Sequence, residues 1–93
     1  MKIKAYDIKI KGNVTGVCFR AYTLCEAEKY PGLQGYVRNV FHGEVEVVLQ
    51  GEEYNVKNMI TWLHHGPSHA RVDSIKINEI PISTTLPSFK IAY

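Results

Sequence analysis

The chain has 93 residues, 45% hydrophobic and 22% charged, which suits one globular domain with a single core, residues 1–93, and excludes a two-domain or low-complexity chain. A formal net charge of +2 is too small to argue for nucleic acid as a partner, and no apolar run is long enough to cross a membrane. Cys18 and Cys25, the two cysteines, fit neither a metal spacing nor a disulfide framework and are expected as reduced thiols of a cytoplasmic protein.

Met1-Lys2-Ile3-Lys4 leads straight into a strand pattern, with no apolar leader. In residues 6–11, Tyr6, Ile8 and Ile10 fall on one face and Asp7, Lys9 and Lys11 on the other, as in a strand with one covered face. Gly12-Asn13-Val14-Thr15-Gly16-Val17-Cys18-Phe19-Arg20 then forms a glycine-bounded loop before a helix expected over residues 21–30. For that helix, Phe19, Thr23, Ala27 and Tyr30 make one candidate buried stripe, Tyr22 and Cys25 a second, and Pro31-Gly32 ends it. Residues 33–40 read as a second strand, with Asn39-Val40-Phe41-His42-Gly43 as a hairpin turn. Residues 44–50 read as a third strand, with Val45, Val47 and Leu49 inward and Gly51 as its end.

Val56, Met59, Ile60 and Leu63 follow the i, i+3, i+4, i+7 spacing of a second helix, stopped by Gly66-Pro67. Residues 71–78 form a fourth strand rich in Val and Ile, and residues 81–87 an irregular connection. Phe89, Ile91 and Tyr93 alternate in a short terminal strand. The order is β-α-β-β-α-β plus a last short strand, the α+β ferredoxin-like split βαβ arrangement, with two helices on one face of a mostly antiparallel sheet.

Two stretches can carry chemistry. In the first, glycines allow the backbone to bend, main-chain N–H groups converge at a helix N-terminus, and Arg20 adds a planar fork of donors suited to phosphate or carboxylate. Taken alone, a strand–helix turn explains the same glycines. In the second, Asn39 stands at a strand end, where its amide either serves the turn or orients a water through one donor and one acceptor.

These stretches resemble the acylphosphatase family. Gly12 to Arg20 follows that family's Gly-x-Val-Gln-Gly-Val-x-Phe-Arg pattern, with Thr15 in place of Gln; Gly35, Tyr36, Asn39, Gly43, Val45 and Val47 follow its second pattern. Trp62-Leu63, Gly66-Pro67, Ala70-Arg71-Val72 and Phe89-Lys90-Ile91 extend the likeness over nearly the whole chain. The resemblance implies hydrolysis of a small acyl phosphate to a carboxylate and inorganic phosphate, without a metal or other cofactor. It implies that Arg20 and the N–H groups of Thr15, Gly16, Val17, Cys18 and Phe19 bind the phosphoryl group. It also implies that Asn39 positions the attacking water. A monomer without nucleic-acid or membrane partners is expected. The stretch from Arg20 to Asn39 is about one residue longer than the family pattern, with Pro31 as the extra residue.

Other residues carry less. Cys18 lies in the loop, but a cysteine-nucleophile phosphatase needs Cys-x5-Arg, and the matching positions here hold Leu24 and Pro31. His64, His65 and His69 could suggest a metal, yet Gly66-Pro67 breaks the helix between them and a solvated helix end explains them. His42 near Asn39 reads as an exposed turn residue, and Glu26 and Glu28 as a solvated helix face. The alternative function is an anion-binding or RNA-recognition-like module on the same fold, with Tyr36 and Phe41 as stacking positions.

Overall fold

The structure is a computed structural model that describes residues 2–16 and 18–92. Met1, Val17 and Tyr93 lie outside the described residues, so the expected places of Val17 in the loop and Tyr93 in the last strand fall there. The elements are β1 (Ile3–Asn13), α1 (Phe19–Ala27), β2 (Gln34–Phe41), β3 (Glu44–Glu52), α2 (Glu53–Leu63), β4 (Arg71–Glu79) and β5 (Lys90–Ile91). The strands form one sheet in the order β4-β1-β3-β2-β5, antiparallel except for the β2–β5 pair.

Alternation decides which face is covered. Ile8 and Ile10 of β1, Val37 of β2, and Val45, Val47 and Leu49 of β3 are all buried and point to the helix side. Phe19 and Ala27 of α1 and Val56, Met59 and Leu63 of α2 complete that core. Thr23 is buried in the same stripe, and its hydroxyl is satisfied by donating to the Phe19 carbonyl at 2.8 Å. Tyr22 and Cys25, the other candidate stripe, are exposed. α1 packs over β2 and β5, whereas α2 packs over β1 and β3.

Element ends differ from expectation where glycine misled. β3 runs through Gly51 to Glu52, and α2 begins at the next residue. Gly51 is a packing residue: a Cβ there would stand 3.2 Å from Leu33 Cδ1. α1 begins at Phe19, not residue 21, and ends at Ala27, so Pro31-Gly32 lies in a later exposed turn.

The face away from the helices is also partly covered. Ala5, Glu46, Val48 and Gln50 are buried there. After β4 the chain crosses beneath the sheet to reach β5 on the opposite edge. Ile80 N–H donates to the Ala5 carbonyl, Ser83 exchanges hydrogen bonds of 2.7 and 2.8 Å with the Gln50 amide, and Gly35 N–H donates to the Pro87 carbonyl. Residues 80–88 thus form a strap at the end where β1 and β2 begin. The opposite end of the sheet is left for the β1–α1 loop and the β2–β3 hairpin.

Candidate active site

β1 ends in a bulge. Its register with β4 shifts between Lys11 and Gly12. At Gly12 (φ +148°) a Cβ would fall 2.0 Å from the Arg71 carbonyl oxygen, so only glycine fits. The chain then buries Val14 and turns through Gly16 (φ +74°) and Cys18 (φ +60°), both left-handed. A non-glycine residue in that region is uncommon and marks a conformation imposed by its surroundings.

Cys18 is the N-cap of α1, and no side-chain hydrogen bond caps the helix. The first helical bond, Tyr22 N–H to the Cys18 carbonyl at 3.0 Å, leaves the preceding amides outside the ladder, at the positive end of the helix dipole. Phe19 turns its ring into the core, with its centroid 6.1 Å from that of Trp62, so its contribution to the loop is main-chain.

Arg20 is half-buried in the first turn of α1. Leu24, one turn later, and Ala27 and Glu28 line a groove with Leu33 and Phe89, the flank of α1 that faces β2 and β5. Tyr22, Cys25, Glu26 and Lys29 line a different cleft of about 290 Å³ toward Trp62, Pro67 and His69. Arg20 therefore stands on the β2 side of α1, away from that cleft.

Asn39 lies in β2 opposite Val45, and cross-strand partners share a face. Val45 is in the core, so Asn39 belongs to the helix side of the sheet, one pair beyond buried Val37 and itself exposed. Past Asn39 the register shifts, and Phe41 pairs with Glu44. That shift turns Phe41, 69% exposed, to the opposite face. β1 and β2 both lie antiparallel to β3 and so run in the same direction. The loop after β1, the start of α1 and the end of β2 accordingly share one end of the sheet.

Loop and hairpin are bonded to each other. Gly12 N–H donates to the Gly43 carbonyl at 3.0 Å, and Gly43 N–H donates to Thr15 Oγ1 at 3.1 Å. His42 Nδ1 lies 3.4 Å from the same hydroxyl. The sequence places Thr15 in the loop, but its side-chain contact with residue 43 was not legible, because nothing local to either residue announces a partner so far along the chain. The turn itself, with Gly43 at φ +79°, was legible from glycine.

The remaining candidates do not assemble. Among the described residues no three of His, Cys, Asp or Glu come together as a metal site. His64 donates from Nδ1 to the Ile60 carbonyl at 2.9 Å, and His69 packs edge-on to Tyr22 at 5.1 Å. Glu26 is half-buried and paired with Lys29 at 3.1 Å, so it is not the freely solvated residue expected. On the face without helices, the central strands β1 and β3 carry Asp7, Lys9, Glu46 and Gln50, where an RNA-recognition surface would need aromatics.

The acylphosphatase family profile matches residues 6–91. An acylphosphatase of Colwellia psychrerythraea is 44% identical over 77 residues, 83% of this chain and 85% of its own. One from Geobacter sulfurreducens is 39% identical over 93 residues, the full length of both chains. The crystal structure of acylphosphatase from Bacillus subtilis superposes with a TM-score of 0.87 at 29% identity, covering 99% of this chain and 100% of that one.

Proposed function

The chain belongs to the acylphosphatase family, and we propose that it hydrolyses acyl phosphates with Arg20 and the loop amides as phosphoryl clamp, Asn39 as water holder, and no metal. The observation that carries this reading is the meeting of loop and hairpin at Gly43, which puts a helix N-terminus, a guanidinium-bearing turn and a carboxamide-bearing strand at one end of the sheet.

The chemistry asks for little more. Phosphoryl transfer passes through a loose transition state with charge spread over peripheral oxygens, so positioned donors supply most of the catalysis. The guanidinium fork and the amides of Thr15, Gly16, Val17, Cys18 and Phe19 hold those oxygens. The Asn39 side-chain carbonyl accepts a hydrogen from the attacking water and so turns its oxygen toward phosphorus. Water oxygen bonds to phosphorus as the phosphorus–oxygen bond to the acyl group breaks. The bonding pair leaves with the carboxylate, and the water's proton passes to phosphate or solvent. A carboxylate is a good leaving group, so no strong general acid is required.

The test is a steady-state assay on a small acyl phosphate with a chelator present and inorganic phosphate as inhibitor. Turnover should survive the chelator, and phosphate should compete. Arg20→Ala is expected to weaken phosphate inhibition and cut turnover. Asn39→Ala is expected to lower kcat by ~10²–10³, the usual cost of one well-placed donor, with phosphate inhibition largely kept. Normal turnover in Asn39→Ala would sink the water-holding role.

A further inference from the structure

The hairpin that carries Asn39 has an irregularity in its own ladder. Its ladder with β3 shifts register directly after Asn39 and resumes at Phe41 with Glu44, so the chain bends beside the residue. Beyond it, Gly43 uses its carbonyl to accept from Gly12 N–H at 3.0 Å and its N–H to donate to Thr15 Oγ1 at 3.1 Å. Both polar groups of this hairpin residue are thus committed to the end of β1 and the loop that follows it. The same Thr15 hydroxyl lies 3.4 Å from His42 Nδ1, so a second hairpin side chain stands against it. Thr15 is half-buried and turned toward the hairpin.

We propose that Thr15 is a positioning residue: its side chain does not bind phosphate but clamps the hairpin bearing Asn39 to the loop bearing the amides and Arg20. The proposal deepens the functional reading above and rests on it. Its physical basis is that a water holder and a phosphate cradle on separate segments must keep their spacing, since a misplacement of about 1 Å can cost roughly a hundredfold in rate. The main-chain bond from Gly12 sets the distance between the two segments. The bond to Thr15 Oγ1, three residues further round the loop, adds a second anchor and stops rotation about the first.

The variants are Thr15→Val, which keeps the shape and removes the hydroxyl, and Thr15→Ser, which keeps the hydroxyl. Thr15→Val should lower kcat roughly ten- to a hundredfold while the inhibition constant of inorganic phosphate stays near wild type, and Thr15→Ser should restore most of kcat. A phosphate inhibition constant that rises in step with the loss of kcat would make Thr15 a phosphate ligand and overturn the proposal, as would unchanged kcat in Thr15→Val. If Thr15→Val does not fold, Thr15→Ala carries the same comparison. Amide exchange at Gly43, followed by NMR, reads the clamp without turnover and should quicken on loss of the hydroxyl. Inactive wild type with a Gly43 amide that exchanges more slowly than in Thr15→Val would sink the hydrolase reading and leave the clamp standing. Active wild type whose Gly43 amide exchanges as fast as in the variant would sink the clamp alone.

Discussion

Gly12 and Gly16 bound the same loop but meet different physical demands. At Gly12 the obstacle is backbone: an added Cβ would lie 2.0 Å from the Arg71 carbonyl oxygen and 2.8 Å from the Asp73 nitrogen, and neither atom can rotate aside. At Gly16 there is nothing within 4 Å, and only the left-handed φ of +74° resists a side chain. Gly16→Ala should therefore cost about 1–2 kcal/mol, the ordinary penalty of that region. Gly12→Ala should cost more, about 3 kcal/mol or above, because two strands must part. Urea unfolding of the two variants checks the order; a smaller loss at Gly12 would contradict the bulge geometry. At this scale the sequence singles out Arg20 and Asn39 as candidates, since a guanidinium after a glycine loop and an amide at a hairpin each have a local signature. It was silent about the Thr15 hydroxyl, whose partner is fixed only when the sheet brings the two segments together.

At the scale of elements, the strands were legible because one face is apolar and the period is two. Their limits were not: Gly51 looks like a strand end but is the small residue that lets Leu33 and Val56 approach β3. In the sequence the strap shows only as an irregular connection, because residues 80–88 have no period and their hydrogen bonds run to residues far along the chain, among them Ala5, Gly35 and Gln50. Gln50 is buried and bonds to the Ser83 carbonyl, the Ser83 N–H and the Gln34 side chain at 2.7, 2.8 and 3.0 Å. Gln50→Leu leaves those groups without partners under the sheet, at a cost of about 1–3 kcal/mol. Because the strap crosses at the end opposite the loop and hairpin, kcat per folded molecule should stay at wild type. A lower denaturation midpoint with unchanged kcat is the expected pair of results; a fall in kcat would mean that the two ends of the sheet are coupled.

For the whole molecule, pH acts on stability through the face without helices. Glu46 sits in the centre strand, 92% buried at its side chain, between Lys9 Nζ at 2.8 Å and Arg38 Nε at 2.7 Å. Burial alone would push its pKa up, but hydrogen bonds from Lys9, Arg38 and Asp7 outweigh it and hold the carboxyl below its usual value. Asp7, on the neighbouring strand, is pushed above its usual value by burial first and then by its hydrogen bond to Glu46, with Lys9, 3.1 Å away, opposing. The two carboxyls therefore work against each other as pH falls. Asp7 takes up a proton first, more readily folded than unfolded, so folding gains as pH drops from neutral through its raised folded value toward the ordinary carboxylate value of ~4. Glu46 contributes stability that is complete above its unfolded value and is lost below it, as pH falls through its depressed folded value. Their sum gives this pair its greatest stabilisation in mildly acid solution, near ~4–5. Urea midpoints measured from pH 7 downward on wild type and Asp7→Asn isolate the effect from the other carboxylates: the variant should lack the acid-side gain while keeping the final acid loss. Glu46→Gln, which leaves two cations facing an amide, should be less stable at neutral pH by about 1–3 kcal/mol. Parallel midpoint curves for wild type and Asp7→Asn would mean that the two carboxyls do not share a proton, and the depressed value at Glu46 would then have to come from Lys9 and Arg38 alone.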